Sequence, residues 1–202
     1  MSETLGAIHH LLYNKVLTFD KLNESIINLS NKNNWYDDLE NKVNNAYDKL
    51  PEGKLEDILD LDNIHSWLES KVDLVETRLA FTITTLLNKN PKLIDDIKDI
   101  AYRFGELNFN INGVNAIRNY EIVQSIMLDG MPCDKAMKIV KSDFNNVEIR
   151  EVSPIHDKYW SLVNGDINNY HEIIVQLING ALSKSNFKFS RVDKNTYTLK
   201  RG

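Results

Sequence analysis

The sequence predicts an α+β fold that is mostly α: a helical bundle body of about six helices, then a small C-terminal three-stranded antiparallel sheet with two helices crossing it. Two patterns predict it. Apolar residues recur at steps of three and four over the first two-thirds of the chain, the spacing that gathers them on one helical face, and from Val147 onward they alternate instead at a period of two. A third observation sets the scale. With 202 residues, 42% hydrophobic and 26% charged, the chain has enough apolar surface to form a core, so a single domain over 1–202 is expected, with a helical body over 1–142 and an α+β portion over 143–202.

Leu5, Ile8, Leu12, Val16, Phe19, Leu22, Ile26 and Leu29 form one stripe of a first helix over about 3–31, which the polar run NKNN breaks. Trp35, Leu39, Val43, Ala46 and Tyr47 continue as a second helix, ended by Pro51 and Gly53. After the loop LEDILDLD, Asp62 or Asn63 caps a long third helix (Ile64, Leu68, Val72, Val75, Leu79, Ile83, Leu86) that stops near Lys89, because the residue before Pro91 disfavours the helical region. Leu93, Ile97, Ile100, Ala101 and Phe104 make a fourth helix closed by Gly105. The fifth runs over roughly 115–128, with Gly130 placed to take a left-handed conformation beyond it. Asp134 is expected to cap a short sixth helix through Val140. The alternation in VEIREV marks a strand, and FKFSRV and TYTLKR, separated by DKN, read as a hairpin. Between them lie a short helix starting at SPIHDKYW and a longer one over about 167–182.

The net charge of −5 and the dispersed lysines argue against nucleic acid as a partner, since phosphate neutralisation needs a basic field. Lys135, Lys138 and Lys141 are flanked by Asp134 and Asp143. The single cysteine, Cys133, excludes an intrachain disulfide and a thiolate-rich zinc site. The N-terminus lacks a basic n-region with a small-residue cleavage site, and no apolar run approaches the roughly 18 residues of a membrane span. A cytoplasmic protein without membrane or nucleic-acid partners is expected. Glycine-rich phosphate loops are missing from the sequence, so no standard nucleotide site is expected and the cofactor stays unassigned.

Chemistry concentrates in SPIHDKYW. Ser153 as N-cap and Pro154 at the first helical position would place His156 in the first turn, where the helix dipole opposes an imidazolium and keeps the ring neutral as a base, donor or metal ligand. A first-turn histidine that merely packs is the alternative. His9 flanks the stripe of the first helix, His65 that of the third and His171 that of the last. Together with His156, and with Glu69 or Glu76 as a carboxylate, they define a metal or haem reading, although no Glu-x-x-His or His-Glu-x-x-His spacing supports it. Cys133, in a Met-Pro-Cys-Asp turn, is a nucleophile candidate opposed by the adjacent Asp134. Tyr159, Trp160 and Tyr170 are either core or the wall of a pocket between helices and sheet.

Over about 145–202, the order strand, Glu151-Val152-Ser153-Pro154-Ile155-His156, short helix, NNYHEIIVQLINGAL and the closing FKFSRVDKNTYTLK resembles the L-2-amino-thiazoline-4-carboxylic acid hydrolase family. Where that pattern has a cysteine before the proline, this chain has Ser153, and no cysteine follows. The resemblance implies a small-molecule protein and, if an enzyme, hydrolytic opening of a small cyclic or amide-like substrate. In that reading His156 is the general base, His171 or Glu172 an auxiliary group, and Ser153, Tyr159, Trp160 and Tyr170 line the ligand pocket. A non-catalytic homodimer formed through an amphipathic helix is a further alternative.

Overall fold

The computed structural model describes residues 5–131 and 134–202. The architecture is α+β and mostly helical, as the sequence predicts, with a four-stranded antiparallel sheet among the described residues. Among the described residues six helices precede the sheet: α1 (Ala7–Asn33), α2 (Leu39–Ala46), α3 (Leu55–Ile58), α4 (Ile64–Lys89), α5 (Leu93–Asn108) and α6 (Ala116–Ile126). Strands β1 (Met137–Ser142) and β2 (Asn146–Glu151), helices α7 (Asp157–Leu162) and α8 (Ile167–Ala181), and strands β3 (Phe187–Arg191) and β4 (Thr196–Arg201) follow, in the sheet order β1-β2-β4-β3. None of the described helices is long and apolar enough to cross a membrane.

The expected sixth helix is instead β1, which makes the sheet four-stranded and moves the helix-to-sheet boundary ahead of residue 143. Lysines at i, i+3 spacing imitate a helical face, but Ile139 and Val140 are β-branched and Asp143 makes a tight turn. Its Oδ1 accepts from the backbone N–H groups of Asn145 and Asn146 at 2.8 and 2.9 Å, so the chain folds back and β1 gains a partner in β2. In β2 the alternation turns Val147, Ile149 and Glu151 inward. A carboxylate is thereby delivered to the buried face of the sheet.

Helix α5 does not close at Gly105 but runs three residues further, because this glycine is a packing residue. A Cβ there would lie 2.8 Å from the Ala181 nitrogen and nearer still to the Leu177 carbonyl oxygen; one at Gly180 would meet the Tyr102 carbonyl. The two glycines let the backbones of α5 and α8 approach directly, which fixes the helix that carries Tyr170 and His171. Gly130 has the expected left-handed φ of 72°.

The short helix after β2 also starts later than expected. Val152 and Ser153 donate from their backbone nitrogens to the Ala136 carbonyl at 2.8 and 3.4 Å, and the Ile155 N–H bonds back to the Ser153 carbonyl at 2.9 Å. Residues 153–155 are therefore a turn leaving the sheet. Ser153 caps nothing, and His156 occupies the position before the first helical residue.

Candidate functional site

Four elements bring titratable side chains to one buried point. Helix α4 carries Glu76 at 1% exposure in the middle of its apolar stripe, β2 ends on Glu151, the segment after α6 carries Asp129, and the turn after β2 delivers His156 at 4% exposure. His156 Nδ1 lies 3.2 Å from Glu76 Oε1 as a buried ion pair without straight hydrogen-bond geometry, and Nε2 lies 4.0 Å from Asp129 Oδ1. On its other side Tyr170 stacks on the imidazole with ring centroids 4.1 Å apart, and its hydroxyl meets Nε2 at 3.0 Å. Trp160 closes edge-on against Tyr170 at 6.4 Å.

Burial pushes the His156 pKa down, but Glu76, by charge and close contact, and then Asp129 and Glu151 outweigh it, so the net direction is up. This reverses the expectation of a neutral first-turn histidine: the carboxylates around the ring, not a helix dipole, set its charge. The upward direction favours the imidazolium, the form in which Nε2–H donates to the Tyr170 oxygen. Burial raises Asp129, with Glu76 adding to it, while His156 and Lys15 oppose the rise. Burial likewise lifts Glu151. Asp129 is the link outward. Its Oδ1 is buried without a hydrogen bond, while its side chain keeps 17% of its surface and forms part of a cleft of about 200 Å³ lined by Leu11, Leu12, Lys15, Met131, Ala136 and Met137.

Of the residues expected to share a site, His156 and Tyr170 do. Tyr159 and Trp160 are both buried, and Tyr159 also lines a second cleft beside Pro154 and Ile155. Its hydroxyl donates to Asp73 Oδ1 at 2.6 Å and, with Lys158 Nζ at 3.0 Å from the same atom, ties α7 to α4 and so holds His156 against Glu76. Tyr159→Phe is expected to lose about 1.5 kcal/mol in urea unfolding, the scale of a hydrogen bond to a charged group; an unchanged midpoint would show that the tie carries no load.

His171 and Glu172 do not join His156 as auxiliary groups. His171 Nδ1 is bonded to the Tyr197 hydroxyl at 2.6 Å, and Glu172 is exposed and paired with Lys98 at 3.3 Å, both lining a third cleft beside Phe189 and Arg191. Helical angle explains the split, since residues 170 and 171 are about 100° apart on α8. The four histidines of the metal reading have different neighbours: His9 faces His65 at 5.6 Å, His156 lies in its carboxylate cluster and His171 on Tyr197, and no group of three or more metal-ligating side chains occurs among the described residues. Cys133 lies outside the described residues.

Burial and the nearby Arg191 depress the His171 pKa to about 4, so this ring stays neutral in the fold. The unfolded chain, titrating near 6.5, takes up a proton that the native state refuses; stability is full above that pH and falls by about 3 kcal/mol as pH drops to 4. Urea midpoints measured from pH 7 to 4 are expected to separate the wild type from His171→Gln, whose acid limb should be flatter. Parallel limbs would contradict the depressed pKa.

Two members of the cluster, Glu151 and Asp129, were not assigned to it from sequence. Glu76 was named beside His156 only as a carboxylate of the metal reading, though it carries its own signal, a charged residue inside an apolar stripe between Val72 and Leu79. Glu151 had a weaker one, sharing the inward parity of Val147 and Ile149. Asp129 had none, since it stands in an irregular segment. Compared with known proteins, the chain matches no family model, no curated protein and no solved structure.

Proposed function

We propose that the chain binds a small organic molecule in the cleft between α1 and residues 129–131 and 135–137 and acts on it by proton transfer through Asp129, supported by His156. The observation that carries this reading is Asp129 itself, a carboxyl that belongs at once to the cleft and to the buried His156–Glu76 pair. A carboxyl whose pKa burial raises, facing the cleft, is suited to hold a proton and hand it to a bound ligand. Hydrolytic opening of a small cyclic or amide-like molecule is the reaction class that suits it. Asp129 as carboxylate takes a proton from the attacking water and, as the acid, returns it to the departing nitrogen, while the His156 cation steadies the carboxylate before the first transfer and after the second. The C-terminal resemblance to thiazoline hydrolases bears on the α+β architecture more than on the reaction, since Ser153 stands where those proteins place a cysteine.

The test is a fragment screen by thermal shift on the full chain, with Leu11→Trp filling the mouth of the cleft and Asp129→Asn removing its acid. Fragments that stabilise the wild type should lose their effect in Leu11→Trp, and those carrying a hydrogen-bond donor should lose it in Asp129→Asn. Fragments that bind both variants as well as the wild type would overturn the assignment.

A further inference from the structure

We propose that Lys15 captures small aldehydes or ketones in this cleft, its ε-amino group forming an imine with the ligand carbonyl while Asp129 carries the protons. The inference rests on the cleft being the ligand pocket, and not on the hydrolytic chemistry suggested for it. Lys15 projects from α1 into a wall that is otherwise largely apolar, made by Ile8, Leu11, Leu12, Met131 and Met137. Its side chain is half-buried. Among the described residues no hydrogen bond or close ion pair engages its ammonium, and its influence on Asp129 acts through space. A lysine in such a place has two properties a nucleophile needs: it is not tied to a partner, and its surroundings disfavour its charge. Burial lowers its pKa, and Asp129 only partly restores it.

The step balances with water as the sole by-product. The amine lone pair forms a C–N bond to the carbonyl carbon, and the carbonyl oxygen takes a proton from Asp129. The resulting carbinolamine nitrogen gives a proton back to the Asp129 carboxylate. Protonated again from Asp129, the hydroxyl leaves as water as the C=N bond forms. Asp129 is suited to both directions because burial holds its pKa up while His156 and Lys15 keep its anion accessible. Lys135 lines the same cleft but is exposed, so it serves as an internal comparison of identical chemistry in water.

The experiment treats the full chain with hexanal and sodium cyanoborohydride at neutral pH and follows adducts on each lysine by peptide mass spectrometry. Lys15 should be trapped about tenfold faster than Lys135, and Asp129→Asn should slow Lys15 by a similar factor while leaving Lys135 unchanged. Leu11→Trp should abolish the preference. The unreactive 1-hexanol, read by thermal shift, separates the two layers of the reading. Hexanol binding that Leu11→Trp removes, with Lys15 trapped no faster than Lys135, would overturn imine capture and keep the cleft as a binding site. Neither hexanol binding nor selective trapping would overturn both. Selective trapping that persists in Leu11→Trp would place the reaction outside the cleft and also overturn the proposal.

Discussion

Gly180→Ala is expected to cost about 3 kcal/mol or more, enough to leave little folded protein at 37 °C in a chain of ordinary marginal stability. The added methyl would meet backbone, namely the Tyr102 carbonyl and, at 2.9 Å, the Glu106 nitrogen, and backbone cannot rotate aside as a side chain can. Relief requires α5 and α8 to move apart. That movement would open the interface flanked by Ile97, Ala101, Phe104, Leu177 and Ile178, all buried, and displace the helix that holds Tyr170 against His156. Urea unfolding gives the stability and near-ultraviolet circular dichroism the aromatic packing. A loss below about 1 kcal/mol would mean that the close approach does not hold the two helices as described.

Glu76→Ala is the second large effect. It leaves His156 buried with its nearest counter-charge gone and the more distant Asp129 and Glu151 in its place. Removing one member of a buried pair typically costs about 3–5 kcal/mol, because the remaining charge is uncompensated. The penalty has a defined pH dependence. With its pKa raised above the ordinary 6.5, His156 contributes stability that is complete below that pH and is lost as pH rises through the folded value. The difference between wild type and Glu76→Ala should therefore be greatest near pH 6 and shrink toward pH 9. Lys15, Asp129, Glu151 and Tyr170 remain in both proteins, so the difference isolates the Glu76 contribution. A gap that widens with pH would reverse the assigned charge of the ring.

The two patterns that located the fold in the sequence did so because they are local. The stripe of α1 and the Asn63-to-Asn90 bounds of α4 follow from side-chain spacing and from Pro91, and alternation in β2 and the β3–β4 hairpin follows from pleat geometry. What failed was non-local. Residues 137–142 form a strand because β2 stands beside them, and Gly105 continues a helix because α8 packs on it, neither of which a window around those residues contains. His156 was visible as a candidate by its isolation between a strand and a helix, but its charge was misjudged because three carboxylates reach it from separate elements. Glu172 illustrates the opposite error: expected with His171 as a helper of His156, it lines the third cleft with His171 and is paired with Lys98.

The most direct test of the site is a ¹⁵N NMR titration of the histidine side chains from pH 5 to 9 in the wild type and in Asp129→Asn. His156 is expected to titrate above the ordinary value of 6.5, with both ring nitrogens protonated at pH 6.5, and to move downward when the Asp129 charge is removed. A His156 that titrates below 6.5, or that ignores Asp129→Asn, would contradict the coupling between the cleft and the buried imidazole on which the functional reading depends.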